Sequence, residues 1–138
     1  MDNSALWGPK YWYMLHMMAF HYPEHPNKVT KKKYYETIMN WPLFLPNQEM
    51  GNKFSKLLDK YPVTPYLDSR ESFIKWSHFI HNRVNELLSK PTFPYVEFID
   101  KYMHPVPEKK DEGWIKKYKN LIIVSVLSII IALIYKLI

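Results

Sequence analysis

Residues 76–91 read Trp76-Ser77-His78-Phe79-Ile80-His81-Asn82-Arg83-Val84-Asn85-Glu86-Leu87-Leu88-Ser89-Lys90-Pro91, and this run decides the fold. Phe73, Trp76, Phe79, Ile80, Val84, Leu87 and Leu88 recur at three- and four-residue spacing, the period of an amphipathic helix. The spacing predicts a helix that starts at Asp68 or Ser69, runs to about Ser89 and is stopped by Pro91. His78, His81, Asn82 and Asn85 fall at i, i+3, i+4 and i+7, on one face. Two imidazoles and two amides on one stripe can read the hydrogen-bonding edges of a heteroaromatic ring system, and Lys90 at the helix end can meet a phosphate. From spacing alone the plainer reading, a buried polar network with ordinary surface residues, is favoured.

Outward from this helix the chain reads as further helices. Ala5 to Phe20 carries Leu6, Trp12, Leu15, Met18 and Ala19 at helical spacing, and Pro23 and Pro26 break the chain after it. Thr30 is the expected cap of a second helix, about Lys31 to Trp41. Pro42 and Pro46 punctuate the next junction. A third helix is expected from about Gln48 to Lys60, ended by Tyr61-Pro62 and Pro65. A short fifth helix is expected from Pro94 to about Tyr102. Neither a strand pattern nor an internal repeat is present. The fold class is all-α: a four-helix bundle with a short fifth helix.

The first helix reads Trp7-Gly8-Pro9-Lys10-Tyr11-Trp12-Tyr13-Met14-Leu15-His16, and Tyr22-Pro23 follows. With Trp76, His81-Asn82, Val84, Asn85 and Lys90-Pro91 followed by Phe93, this resembles the Erv/ALR sulfhydryl oxidases. These are small FAD-binding helical bundles that make disulfides. The resemblance spans about Leu6 to Tyr102 and rests on two multi-residue motifs in the right order. It implies FAD as cofactor, with Gly8, Trp12 and His16 along one side and Trp76, His81, Asn82, Val84, Asn85 and Lys90 along the other. Where the family places a basic residue and a tryptophan near the adenine end, this chain has Lys101 and Tyr102.

The departure is at the centre. The family's redox pair, Pro-Cys-x-x-Cys, aligns with Pro46-Asn47-Gln48-Glu49-Met50, so Asn47 and Met50 stand in the cysteine positions. Neither an amide nor a thioether forms a disulfide or attacks as a thiolate. The chain contains no cysteine, so no other residue of it can replace them. This argues against autonomous sulfhydryl oxidase activity.

Apolar residues are 47% of the 138, enough for a real core. The net charge of +6 permits anionic lipid or nucleic acid and decides between neither. Lys109, Lys110, Lys116, Lys117 and Lys119 precede an uncharged stretch, Leu121 to Tyr135. Counted to Ile138 that segment has 18 residues, about 27 Å of helix at ~1.5 Å per residue. It is apolar all round, as a membrane-spanning anchor is and an amphipathic core helix is not. Trp114, Tyr118 and Tyr135 are the expected interfacial aromatics. Lysines before the anchor predict a cytosolic N-terminal domain. Met1 to Lys10 lacks the basic-then-apolar order of a cleaved signal peptide, which argues against export by that route. The expected organisation is a helical FAD-binding-type domain at 1–103, a Pro- and Lys-rich linker at 104–119 and a transmembrane anchor at 120–138.

Three functions compete. In the first the chain is a membrane-anchored, catalytically degenerate relative that keeps the bundle and FAD pocket and serves as a structural or partner subunit. The resemblance implies a homodimer, or a heterodimer with a cysteine-bearing relative. In the second it is an active FAD-dependent oxidoreductase using an external thiol or a partner-supplied dithiol. In the third it is a plain interaction module with a basic face such as Lys31-Lys32-Lys33, but no nucleic-acid motif accompanies that run. His16, His21 and His25 are close in sequence, yet Pro23 breaks their register and no carboxylates surround them, so no metal site is expected. Compact members of the family occur in large DNA viruses that assemble in the cytosol, which makes a virion membrane the expected location.

Overall fold

The computed structural model describes residues 4–103 and 113–137. The first compact unit contains α1 (Ser4–Phe20), α2 (Lys28–Asn40), α3 (Gln48–Lys60), α4 (Arg70–Leu87) and α5 (Tyr95–Met103), with 3-10 turns at Trp41–Phe44 and Thr64–Tyr66. Among the described residues there are no strands. Each helix boundary has a local cause. The α2 cap is Asn27, whose side-chain oxygen accepts the Thr30 N–H at 2.8 Å, so the helix starts earlier than a Thr30 cap would allow. Asn outranks Thr as a cap, and here Thr30 is the third helical residue. Asn47 caps α3 and Ser69 caps α4 in the same way.

The C-terminus of α4 closes on Ser89 at φ 53°. The Lys90 N–H reaches the Asn85 carbonyl at 2.8 Å and the Ser89 N–H reaches that of Glu86 at 3.0 Å. This left-handed cap normally uses glycine. It turns the chain sharply and brings Lys90 back beside the helix.

α1 packs along α4, α3 packs on α4 and on the Trp41–Phe44 turn, and α5 touches α1 and α4. The core joins Leu15 and Ala19 of α1, Ile38 of α2, Phe54 and Leu58 of α3, and Phe73, Trp76, Ile80 and Val84 of α4. Buried polar tips find partners: Tyr22 donates to the Leu67 carbonyl at 2.9 Å and the Trp76 indole donates to that of Tyr61 at 3.1 Å. Gly51 permits the α3 contact, because a Cβ there would lie 2.6 Å from the Pro42 carbonyl oxygen.

The second unit holds α6 (Gly113–Leu137). Helix begins inside the stretch assigned to a linker. Lysine is a good helix former and nothing between Gly113 and Lys119 breaks a helix; residues 104–112 lie outside the described residues. Tyr118–Lys136 is 19 residues long with mean hydropathy 2.1, about 28 Å at ~1.5 Å per residue, which is membrane-spanning length. Its two serine hydroxyls turn inward, Ser125 to the Leu121 carbonyl and Ser128 to that of Val124, each at 2.8 Å. Between Leu121 and Ile134 the helix therefore presents apolar surface on every face.

Candidate functional site

α1, α3 and α4 diverge around a cavity of about 330 Å³. Trp12 and His81 stack at one wall, ring centroids 3.9 Å apart and planes within 7°. Val84 and Leu88 of the α4 end, with Met50 and Phe54 of α3, give it an apolar lining; Trp7, Tyr11 and Trp41 form an aromatic rim. Asn47, Asn85 and Tyr102 add polar atoms, and Lys53, Lys90 and Lys101 add positive charge. Lys53 pairs with Glu49. Lys90 and Lys101 form no ion pair among the described residues, so the cavity is electropositive. Gly8 lies on the same lining, and a Cβ there would meet nothing within 4 Å. Its backbone can be approached closely.

Of the residues singled out by sequence, Gly8, Trp12, His81, Val84, Asn85, Lys90, Lys101 and Tyr102 line the cavity, as do Asn47 and Met50. His16, Trp76 and Asn82 do not. Trp76 is a core residue, tied to the Tyr61 carbonyl. His16 lies fully buried behind the wall, its Nε2 2.9 Å from His81 Nδ1 and its Nδ1 3.2 Å from Ser77 Oγ. Asn82 grips the backbone of Phe93: its side-chain oxygen accepts the Phe93 N–H at 3.2 Å and its amide donates to the Phe93 carbonyl at 3.0 Å. His78 reaches the same carbonyl at 2.8 Å.

The polar stripe of α4 therefore divides. His78 and Asn82 fasten the segment after Pro91, which presses Phe93 edge-on to His81 at 5.0 Å. His81 and Asn85 open onto the cavity. Sequence reasoning missed Trp7, Tyr11, Trp41, Lys53, Phe54 and Leu88. Lys53 and Phe54 were within reach, being three and four residues beyond Met50 on one helix face. Trp41 carries no local signal, because only the packing of its turn on α3 brings it there.

Burial holds His16 well below the usual imidazole range, helped by the neighbouring His81, His78 and Lys101. Burial, with Lys101, His78 and Lys90, lowers His81 to about 3. Both rings are neutral at physiological pH. Burial also raises the Tyr102 phenol, which stays protonated. The site thus combines a neutral aromatic wall with two ammonium groups that have no carboxylate partner among the described residues, Lys101 lying over the Tyr102 ring at 5.5 Å. That suits a planar heteroaromatic joined to an anionic group.

At the cysteine-aligned positions, Asn47 accepts the Met50 N–H at 2.9 Å, and Met50 packs half-buried against the core. Both side chains serve the start of α3, and neither supplies a redox group.

Residues 9–104 match the model of the Erv1 / Alr family. The chain is 32% identical over 109 residues to a probable FAD-linked sulfhydryl oxidase of Acanthamoeba polyphaga mimivirus, covering 78% of this chain and 76% of that one. It is 32% identical over 107 residues to an FAD-linked sulfhydryl oxidase of African swine fever virus, covering 78% and 88%. Its backbone matches the crystal structure of the FAD binding domain of Erv1 from Saccharomyces cerevisiae with a TM-score of 0.65 at 27% identity, over 74% of this chain and 94% of that one. Motifs, helical fold and relatives agree, and the chain belongs to the Erv1 / Alr family.

Proposed function

We propose that this protein is a membrane-anchored, FAD-binding member of the family that has no dithiol of its own and acts as a binding or assembly subunit. The observation that carries the reading is the state of the α3 start. Asn47 and Met50 hold the helix cap and the cavity lining where a redox pair would stand, while the rest of the cavity suits FAD. The fit rests on the stacked Trp12–His81 wall, the bare backbone at Gly8 and the ammonium groups of Lys90 and Lys101. His81, Asn85 and Tyr102 would face the nucleotide, Lys90 and Lys101 would meet the pyrophosphate, and Val84, Met50 and Phe54 would exclude water from the ring system. His16, Trp76 and Asn82 would act one layer back, by holding the wall and Phe93 in place. Bound FAD supplies a two-electron acceptor.

α6 would anchor the protein, with residues 1–103 on the cytosolic side because the lysines precede the span. The similarity to viral oxidases supports a virion membrane. The partner would be a second copy or a cysteine-bearing relative. The visible absorption spectrum of the detergent-purified chain tests the reading: an oxidised-flavin band that dithiols bleach no faster than a buffer control is expected. A colourless protein that takes up no added FAD would refute it.

One observation favours a second reading, a working oxidoreductase fed by an external or partner-supplied dithiol. Asn47 and Met50 are only half-buried, so an incoming sulfur can approach the cavity there. Rapid flavin bleaching by a dithiol, with oxygen consumption, would favour it.

A further inference from the structure

Among the described residues His81 Nε2 makes no hydrogen bond, and Arg83 Nε is the one buried side-chain N or O atom without a partner. The free nitrogen of His81 is therefore not sealed in the core; it opens where the ring lines the cavity. Whether it donates or accepts is set by a proton chain behind it.

The Ser77 hydroxyl lies 2.8 Å from the Ile74 carbonyl oxygen and 3.2 Å from His16 Nδ1. A hydroxyl has one hydrogen. At 2.8 Å from a carbonyl that hydrogen must lie between the two oxygens, or two sets of lone pairs would face each other. Ser77 Oγ then accepts, and His16 Nδ1 carries a proton to donate to it, at a length ordinary for N–H···O. A neutral His16 protonated on Nδ1 has a bare Nε2. That nitrogen accepts from His81 Nδ1 at 2.9 Å, which places the His81 proton on Nδ1 and leaves its Nε2 bare.

A doubly protonated ring is disfavoured from every side. The charged and titratable groups that reach the pair are His78 on α4, Lys90 beyond it, and Lys101 and the protonated phenol of Tyr102 on α5, with no carboxylate among them. The remaining neighbours, Trp12, Phe93 and Phe98, are aromatic.

We propose that Ser77 and His16 are positioning residues that hold His81 with its proton on Nδ1, so that Nε2 offers the cavity a hydrogen-bond acceptor and selects a ligand presenting an N–H or O–H donor there. The choice of ligand rests on the flavin reading: the donor would be an amine or hydroxyl of the nucleotide. The proton chain itself holds whether or not flavin is bound.

Long-range nitrogen–proton NMR of the ¹⁵N-labelled full chain in detergent micelles, free of FAD, reads the tautomers directly. His16 and His81 are each expected to show a protonated Nδ1 and an unprotonated Nε2 from pH 8 down to pH 6. A proton on His81 Nε2 in the unaltered chain would overturn the proposal, and this measurement needs no variant to fold. Ser77→Ala removes the acceptor that directs the chain. Both rings should then populate both tautomers, and FAD affinity should fall by the inverse of the fraction left in the accepting tautomer, about twofold where the two are equally populated. A folded Ser77→Ala chain with unchanged tautomers would overturn the role of Ser77. Expected tautomers in a chain that never takes up FAD would leave the proton chain standing and sink the flavin reading alone.

Discussion

Replacing Asn47 and Met50 together by cysteine tests whether the missing thiols are all that separates this site from a dithiol oxidase. The two residues are the cap and third residue of α3, joined by the 2.9 Å bond from the Met50 N–H to the Asn47 side chain. Losing that cap costs about 1 kcal/mol. Trimming the half-buried Met50 to cysteine removes roughly two methylene equivalents, about 1 kcal/mol at partial burial. The reduced double variant should therefore be destabilised by about 2 kcal/mol, which lowers Tm by roughly 8–16 °C in a domain of this size. Forming the disulfide closes a four-residue loop, and the chain-entropy estimate returns about 2 kcal/mol. Oxidised, the variant should melt near the parent. The start of a helix also lowers a thiol's pKa, which favours the attacking thiolate. The assays are thermal melting with and without reductant, and oxygen consumption with a small dithiol in the FAD-loaded variant. Turnover above the parent, with the redox-dependent melting shift, is the expected pair. A flavin-loaded variant that shows the melting shift yet consumes no oxygen would refute the view that the rest of the site is competent.

Gly51→Ala places a Cβ 2.6 Å from the Pro42 carbonyl oxygen; it should destabilise by about 1–3 kcal/mol and loosen the α3 start, read as a lower urea midpoint and weaker FAD binding. Ser89→Gly relieves a left-handed φ of 53° and should stabilise by about 0.5–1 kcal/mol after the entropy cost of glycine, seen as a higher urea midpoint with an unchanged slope. The buried neutral pair His16 and His81 makes stability pH-dependent. Their folded pKa values lie below the unfolded 6.5, so the unfolded chain takes up protons first and stability is lost as pH falls. Well below pH 6.5 the slope should approach about 1.4 kcal/mol per pH unit for each ring, continuing for His81 towards about 3. Urea midpoints between pH 7 and pH 5 check this, and His81→Asn should flatten the slope.

Helix order was legible from periodicity and proline punctuation. The expected third helix coincides with the observed Gln48–Lys60 because Pro46 and Pro62 bracket it tightly. The start of α2 was not legible, since Asn27 and Thr30 are both capping residues and local sequence does not rank their geometries. The motifs named residues of α1, α4 and α5 that line one cavity but said nothing of depth. Trp76, His16 and Asn82 sit a layer behind the lining, and that depends on how far α1 and α4 interpenetrate. Ser77 was invisible as a site residue. A serine at that spacing is ordinary in a helix, and its role exists only because α1 delivers His16 to within 3.2 Å of it.

The division of the α4 stripe separates residues that stabilise the fold from residues that do little for it. His78 and Asn82 satisfy the Phe93 backbone, so their bonds contribute to folding. The side chains of His81 and Asn85 leave polar atoms facing a cavity, and Lys90 and Lys101 hold positive charge beside it. Those atoms lower the free energy of the folded chain only when a ligand meets them, by RT ln(1 + [L]/Kd), about 2.7 kcal/mol at a hundredfold excess over Kd. A subunit that kept the fold solely as a scaffold would gain nothing from them. The retained chemistry thus argues for a binding role, and for a folded state whose stability rises with the concentration of the nucleotide that fills the site.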